Sequence, residues 1–102
     1  MVVVLFRSVL REEAGADYEA MAADMLARAR TMPGFVDFAS YATDGGEHLS
    51  VIHFESQEAL RAWSDDLRHT VAQQLGREKW YESFHVEVAD VVRSYDFRRP
   101  GP

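Results

Sequence analysis

The sequence predicts a single α+β domain whose elements follow the order β-α-β-β-α-β. Strand-like runs of β-branched and aromatic residues alternate with runs that place apolar residues at helical spacing. Pro33-Gly34 separates the first helical run from the second strand, and Asp44-Gly45-Gly46-Glu47 marks a hairpin turn. The length of 102 residues fits one domain.

The first two elements are a strand and a helix. Residues from Val2 to Arg11 form a β-branched run, which is expected to be buried on both faces because nearly every position is apolar. A loop follows, and Asp17 is the expected N-cap of the first helix. That helix is expected to end near Met32, because proline and glycine come next.

The remaining elements form a hairpin, a helix and a last strand. We expect strands from Phe35 to Thr43 and from His48 to Glu55, then a second helix that Ser56 caps. A broken helical region is expected from Asp65 to Tyr81, because aspartate is a poor helix former. The final strand is expected from Phe84 to Phe97, with a bulge near Asp90.

This order of elements is typical of the ferredoxin-like fold, an antiparallel sheet with helices on one face. The uncovered face is expected to carry several apolar residues, namely Val2, Val4, Phe35, Phe38, Ile52, Phe54 and Val86. An exposed apolar face of that size favours a partner sheet. We therefore expect a homodimer formed through the sheet, of the dimeric α/β barrel type.

Composition excludes several classes of protein. A net charge of -6 argues against nucleic-acid binding, which selects for basic patches. No apolar run approaches the roughly 20 residues of a membrane span, and the absence of cysteine excludes disulfides and thiolate chemistry. A cytoplasmic protein is the simplest expectation, with one domain over residues 1–97 and a disordered tail over 98–102. The four histidines show no metal-binding spacing, so no metal site is expected.

Several segments together resemble a known family. They are Phe6-Arg7-Ser8, Met32-Pro33-Gly34-Phe35, the stretch from Ser50 to Ser56, the stretch from Glu58 to Trp63, the block from His69 to Tyr81, and Val91-Val92-Arg93-Ser94-Tyr95. The chain resembles the antibiotic biosynthesis monooxygenase family over nearly its whole length. The resemblance implies a cavity between sheet and helices. In relatives, that cavity holds flat polycyclic phenols, quinols or heme.

The same resemblance implies a chemistry without metal or flavin, in which the substrate supplies the reducing power as an electron-rich anion. The protein would take a phenolic proton, stabilise the anion and exclude water. His69 is the expected base, and Gln73 shares its helix face four residues later. Trp63 is expected to stack on the substrate or donate to its oxygen. A solvated His69 and a purely structural Trp63 are the alternatives if the helix between them is continuous.

Arg7 interrupts an apolar strand, so it is expected to need a partner. It is predicted either to stabilise the substrate anion at the pocket mouth or to pair with Glu55 or Glu87. His53 is predicted as a cavity-lining residue, with a hydrogen-bonded sheet histidine as the alternative. His48 and His85 stand at strand ends and are expected to be solvated.

Three further aromatic residues are candidates for contact with the substrate, with core packing as the alternative. Trp80 and Tyr81 are adjacent and so face different ways, which predicts that one packs in the core and the other reaches the cavity. Phe38 on the second strand is the third.

The predicted function is oxidation of a flat phenol or quinol by dioxygen without a cofactor. Heme binding or degradation, with His69 as the axial ligand, is the first alternative, and a non-catalytic ligand-binding module is the second. The chain contains no asparagine. The heme-degrading branch uses an asparagine on the first strand, and phenol-oxidising relatives often use one toward the substrate, so this absence lowers the heme alternative most.

Overall fold

The computed structural model describes residues 1–65 and 74–101. In this described part, four strands form one sheet, and they span Val2–Leu10 (β1), Phe35–Ala42 (β2), Glu47–Phe54 (β3) and Tyr81–Asp90 (β4). The α-helices with both ends inside the described ranges span Ala16–Thr31 (α1) and Gln57–Ser64 (α2), and a π-helical turn spans Gly76–Trp80.

The strand order in the sheet is β2-β3-β1-β4, and every pairing is antiparallel. β1 is therefore central, and β2 and β4 are the two edges. The element order and the antiparallel sheet confirm the predicted ferredoxin-like α+β fold. Among the residues that the structure describes, no helix combines the length and apolar content that a membrane crossing requires.

The helix boundaries follow local capping chemistry. Ser56 caps α2 as predicted, because its Oγ accepts a hydrogen bond of 3.1 Å from the Ala59 backbone N–H. α2 ends at Ser64 with Asp65 as its C-cap. The predicted N-cap of α1 was wrong: Gly15 occupies that position, and Asp17 lies inside the first turn. The Asp17 carboxylate accepts a hydrogen bond from the Trp80 indole instead.

The last strand begins and ends earlier than predicted, at Tyr81 and Asp90 rather than at Phe84 and Phe97. Its length is set by pairing with β1. Asp90 lies opposite Val2 in that ladder, and the final backbone hydrogen bond runs from Val91 N–H to the Met1 carbonyl at 2.9 Å. The register irregularity lies between Val9 and Leu10 rather than near Asp90.

Strand alternation divides the sheet into a helix-covered face and an open face. The core on the covered face consists of Val2, Val4, Ile52 and Phe54, with Phe35, Phe38, Ala59, Leu60 and Trp63 packed against it. The prediction that such residues form the uncovered face was therefore wrong. These residues were correctly grouped on one face of the sheet, but that face was taken to be the uncovered one. The sequence pattern does not show which face the helices cover.

The open face is only partly apolar. It carries Val3, Leu5 and Val51, which are half-buried, together with the exposed Arg7 and Glu87. β1 is therefore not buried on both faces, contrary to the prediction. The open face is therefore more polar than the covered face, which holds the core.

Gly34 allows α2 to approach the start of β2, which gives a first prediction. It has φ +88°, and a Cβ there would lie 2.5 Å from the Ala59 Cβ. Gly34→Ala is expected to lower the free energy of unfolding by about 2–4 kcal/mol, from the left-handed backbone and the overpacking together. Urea denaturation measures this change.

Gly46→Ala is the matched control, since Gly46 has φ +89° and open space around its Cβ. It is expected to cost only the backbone component, about 1–2 kcal/mol. Equal losses in the two variants would contradict a close contact between Gly34 and α2.

Candidate active site

A cavity of about 760 Å³ lies between the covered face of the sheet and the helical layer. Its floor comes from all four strands, and its roof comes from α1, α2 and the π-helical turn. A volume of this size is typical of small-molecule sites, which are mostly apolar with a few polar groups. The position of those polar groups therefore indicates how a ligand would lie.

One end of the cavity is apolar. Its floor there consists of Phe38, Ile52 and Val4, which lie side by side on β2, β3 and β1. Trp63 covers this end from α2, and its ring lies 5.5 Å from the ring of the buried Phe54. A flat apolar ligand would be desolvated here against an aromatic wall.

The other end of the cavity floor is polar. Ser8 on β1 lies opposite His48 on β3, and Ser50 lies opposite Ser40 on β2. All four line the cavity. Ser8 is only 4 % exposed, and its hydroxyl has no hydrogen-bond partner among residues 1–65 and 74–101. Buried hydroxyls are normally satisfied, so this one favours a polar ligand atom or water in the cavity.

A cation stands near the polar end. The Arg77 guanidinium lies 5.7 Å from the centre of the Phe84 ring, and Phe84 is the β4 neighbour of Ser8. Adjacent strands are about 4.8 Å apart, so the row from His48 through Ser8 to Phe84 spans roughly 10 Å. Both Arg77 and His48 line the cavity. A base and a fixed positive charge therefore lie within the reach of one small aromatic molecule.

An aromatic cluster closes the wall beside this polar row. The Tyr81 ring lies 5.6 Å from Phe6, 5.9 Å from Tyr18 and 5.7 Å from Phe84, each in an edge-on arrangement. Burial, the nearby Tyr18 and a hydrogen bond to that residue all raise the pKa of Tyr81 above its ordinary value. Tyr81 is therefore held as the neutral phenol at physiological pH.

Gly76 makes room for the Tyr81 ring. A Cβ at Gly76 would lie 2.6 Å from Tyr81 Cε2, so the π-helical turn can pack on the ring only with glycine at this position. π-Helical turns occur often at functional sites. The turn thereby fixes the ring against one wall of the cavity.

Trp80 ties the π-helical turn to the start of α1. Its indole is buried and donates a hydrogen bond of 3.2 Å from Nε1 to Asp17 Oδ2. This bond lowers the pKa of the Asp17 carboxyl, and the backbone and Lys79 add to the lowering. The Trp80 ring also packs edge-on against Tyr18 at 5.6 Å. The roof of the cavity is thus joined at this corner by one polar and one aromatic contact.

The model of the antibiotic biosynthesis monooxygenase family matches residues 1–75. The chain belongs to this family. The uncharacterized protein YqjZ of Bacillus subtilis (strain 168) is 34% identical over 95 residues, which cover 93% of this chain and 82% of that protein.

Solved structures confirm the fold of the family. Rv0793 from Mycobacterium tuberculosis matches 93% of this chain and 98% of its own, with a TM-score of 0.80 and 21% identity. SnoaB from Streptomyces nogalater, a cofactor-independent oxygenase, matches 91% of this chain and 94% of its own, with a TM-score of 0.74 and 15% identity. At these identities the likeness shows the fold alone.

For this family member, the structure brings four of the predicted site residues to one cavity. They are Trp63, Phe38, Trp80 and Tyr81. Both Trp80 and Tyr81 line the cavity, Trp80 from a buried position and Tyr81 from a half-buried one. His69 and Gln73 lie outside the described residues, so their predicted roles stay predictions.

The structure does not bring Arg7 and His53 to the cavity. Arg7 lies on the open face, where its guanidinium is 3.2 Å from Glu47 rather than paired with Glu55 or Glu87. His53 shares that face, and its Nδ1 lies 2.7 Å from Asp37 Oδ1. Both side chains are thus in hydrogen-bonded pairs on the side of the sheet opposite the cavity.

His48, Arg77 and Ser8 line the cavity, although none of them was predicted as a site residue. The alternation of side chains along β3 could have indicated His48. It lies four and six residues before Ile52 and Phe54, so all three share one face of the strand. The expectation that His48 is simply a solvated strand end overlooked this alternation. No comparable pattern pointed to Arg77, because it lies in a π-helical turn, which the spacing of hydrophobic residues does not predict.

The Tyr81 phenol gives a second prediction. Because its pKa is raised in the folded protein, its contribution to stability is complete below about pH 10 and is lost as the pH rises further. Phenolate absorbance followed during alkaline titration is expected to show one late-ionising tyrosine, which the Tyr81→Phe variant lacks. Tyr41→Phe, at an exposed site on β2, is expected to leave that late step in place. A late step that persists in Tyr81→Phe would refute the assignment.

Proposed function

We propose that this protein is a cofactor-independent monooxygenase that oxidises a flat phenol or quinol with dioxygen in the cavity between sheet and helices. Membership of the family supports the reaction class. The distribution of polar groups in the cavity supports the substrate class, since an aromatic molecule with oxygen at one edge matches an apolar end and a polar end.

The proposal depends on one observation, which is the arrangement of polar groups on the cavity floor. His48 and Ser8 lie side by side on β3 and β1, and the Arg77 guanidinium lies over Phe84, the β4 neighbour of Ser8. Imidazole groups titrate near neutral pH and are common general bases. A guanidinium stays charged and stabilises a developing anion more strongly where water is excluded. Within the described residues, the contact of the Arg77 guanidinium is with the Phe84 ring, at 5.7 Å, and no carboxylate forms an ion pair with it.

The proposed reaction begins when His48 takes the phenolic proton. Arg77 stabilises the resulting phenolate, and Ser8 donates a hydrogen bond to its oxygen. The electron-rich ring then reduces dioxygen. A ring C–H carbon forms a C–O bond with one oxygen atom and becomes a carbonyl, and the second oxygen atom leaves as water. Phenol and dioxygen thus give quinone and water, and all four electrons come from the substrate.

The apolar end orients the substrate for this step. Trp63 and Phe38 enclose the ring system, and burial of its apolar surface contributes about 25 cal/mol per Å². The base predicted from the sequence, His69, remains a candidate for the same proton, and Gln73 remains a candidate for substrate contact.

Two alternatives from the sequence stay predictions. Heme binding depends on His69 as the axial ligand, and that residue lies outside the described part of the chain. Among the described residues, no group of three or more histidine, cysteine or acidic side chains is placed to hold a metal ion. A non-catalytic binding module would bind the same aromatic molecules without consuming dioxygen.

We also propose that the protein is a cytoplasmic homodimer formed through the open face of the sheet. The half-buried Val3, Leu5 and Val51 on that face support it, because a second sheet would remove their remaining apolar surface from water. Light scattering of the purified protein tests the assembly. A monomer at micromolar concentration would contradict this proposal.

The third prediction concerns turnover. Dioxygen uptake is measured with a panel of naphthols, anthrones and hydroquinones in the presence of a metal chelator. Substrate-dependent uptake is expected, and His48→Gln is expected to lower kcat/KM by about 100-fold, the usual contribution of a general base. Arg77→Gln is expected to cost about 10- to 1000-fold through the loss of anion stabilisation.

The controls are His85→Gln and Arg7→Gln, which change the same residue types on the open face. Both are expected to retain activity within about two-fold of the unmodified protein. Losses in the control variants equal to those in the cavity variants would refute the assigned roles. Binding of the panel without any dioxygen uptake would favour the non-catalytic module instead.

A further inference from the structure

The π-helical turn that carries Arg77 is short and depends on contacts with other elements. It spans the five residues Gly76–Trp80, and π-helices are rare and occur mostly as single turns. The Arg77 guanidinium lies 5.7 Å from the centre of the Phe84 ring. Because arginine has a long and flexible side chain, the place of this cation in the cavity depends on how the turn is fixed.

Arg11 fixes the turn from the end of β1. Its backbone N–H donates a hydrogen bond of 2.8 Å to the Trp80 carbonyl, and its Nη1 donates one of 3.3 Å to the Glu78 carbonyl. The acceptor of the second bond is the residue that follows Arg77. The backbone of the turn is therefore tied to the sheet on the C-terminal side of the cation.

Asp17, in the first turn of α1, fixes the same turn from the roof of the cavity. Its Oδ2 accepts a hydrogen bond of 3.2 Å from Trp80 Nε1, and the positive charge of Lys79 attracts the same carboxylate. The Trp80 side chain is buried, whereas Asp17 is exposed. Two consecutive residues of the π-helical turn thus interact with one side chain of α1.

Asp17 itself lies outside the cavity. The next residue, Tyr18, lines the cavity, but Asp17 does not. Any effect of the Asp17 carboxylate on a bound substrate must therefore pass through the residues that it contacts. Glu19 gives a comparison in the same turn of α1, because it is also acidic and exposed. In the part of the chain that the structure describes, its side chain forms no hydrogen bond or ion pair with the π-helical turn.

We propose that Asp17 is a positioning residue that acts through Trp80 to hold the Arg77 guanidinium over the Phe84 ring, at the polar end of the cavity. The functional part of this inference rests on the proposed role of Arg77 in stabilising the substrate anion, but the placement of Arg77 does not. A cation stabilises a developing charge most effectively when it is already in place before the reaction. A displacement of about 1 Å can cost about 100-fold in rate.

The NMR signal of the Arg77 Nε–H tests this placement without any ligand. Protons held over an aromatic ring are shifted upfield, so Phe84→Leu is expected to remove the shift, and Arg77→Gln identifies the signal by its loss. Asp17→Ala is expected to remove most of the shift and, since Asp17 is exposed, to fold normally. Asp17→Asn is expected to keep the shift, because its amide oxygen can accept the same hydrogen bond.

Trp80→Phe removes the same hydrogen bond from its other end and keeps an aromatic ring in the core. It is expected to change the Arg77 signal as Asp17→Ala does, and the double variant is expected to add no further change. Glu19→Ala is the matched control for a lost negative charge at the start of α1. It is expected to leave the Arg77 signal unchanged.

Dioxygen uptake with the best substrate of the aromatic panel tests the functional part. Asp17→Ala is expected to lower kcat by about 10-fold and to change KM by less than about two-fold, because the displaced cation acts on the transition state. In the Arg77→Gln background, Asp17→Ala is expected to cost nothing further, since the group that it positions is absent. Asp17→Asn is expected to restore activity.

Three results would overturn the proposal. The first is an Arg77 signal that is unchanged in Asp17→Ala, and the second is a signal that Glu19→Ala changes as much as Asp17→Ala does. The third is an additive loss of activity in the Asp17→Ala/Arg77→Gln double variant, which would show that Asp17 acts by another route. If the Arg77 signal responds as expected but the unmodified protein consumes no dioxygen, the placement is confirmed and the proposed reaction is wrong.

Discussion

The antiparallel register between β1 and β3 is the constraint on which the rest of the structure depends. It sets Val2 opposite Phe54 and Val4 opposite Ile52, which builds the core, and it sets Ser8 opposite His48, which builds the polar end of the cavity. A shift of one residue would send all of these side chains to the open face. The same ladder of backbone hydrogen bonds therefore places both the core residues and the polar residues of the cavity.

The cavity has an apolar end and a polar end because the side chains of the central strands β1 and β3 change from apolar to polar along each strand. Near Phe54 the floor is aliphatic and aromatic, with Val4 and Ile52 buried, and toward Glu47 it becomes polar. A phenolate bound across this gradient would keep its rings in the dry end and its charge beside the row of His48 and Ser8. Electrostatic stabilisation is largest where water is excluded, so this arrangement suits chemistry that depends on a substrate anion.

Sequence periodicity predicted the order of elements and the fold class, because both depend on local patterns of apolar residues and turns. It also selected Trp63, Phe38, Trp80 and Tyr81, since large aromatic residues are normally buried at cavities or cores. It could not assign the covered face of the sheet, which depends on helix packing. For that reason Arg7 and His53 were expected at the cavity and His48 was not. The end of β4 depends on its pairing with Met1 and Val2, which strand propensity alone does not encode.

The central claim is that the cavity orients an aromatic ligand with its oxygen at the polar end. A crystal structure of the protein soaked with a naphthol tests it most directly. We predict a ring between Trp63 and the floor formed by Val4 and Ile52, with its hydroxyl within hydrogen-bond distance of His48 or Ser8. A naphthol bound in the shallow groove of the open face, beside Arg7 and Tyr41, or one whose hydroxyl points toward Trp63, would contradict it.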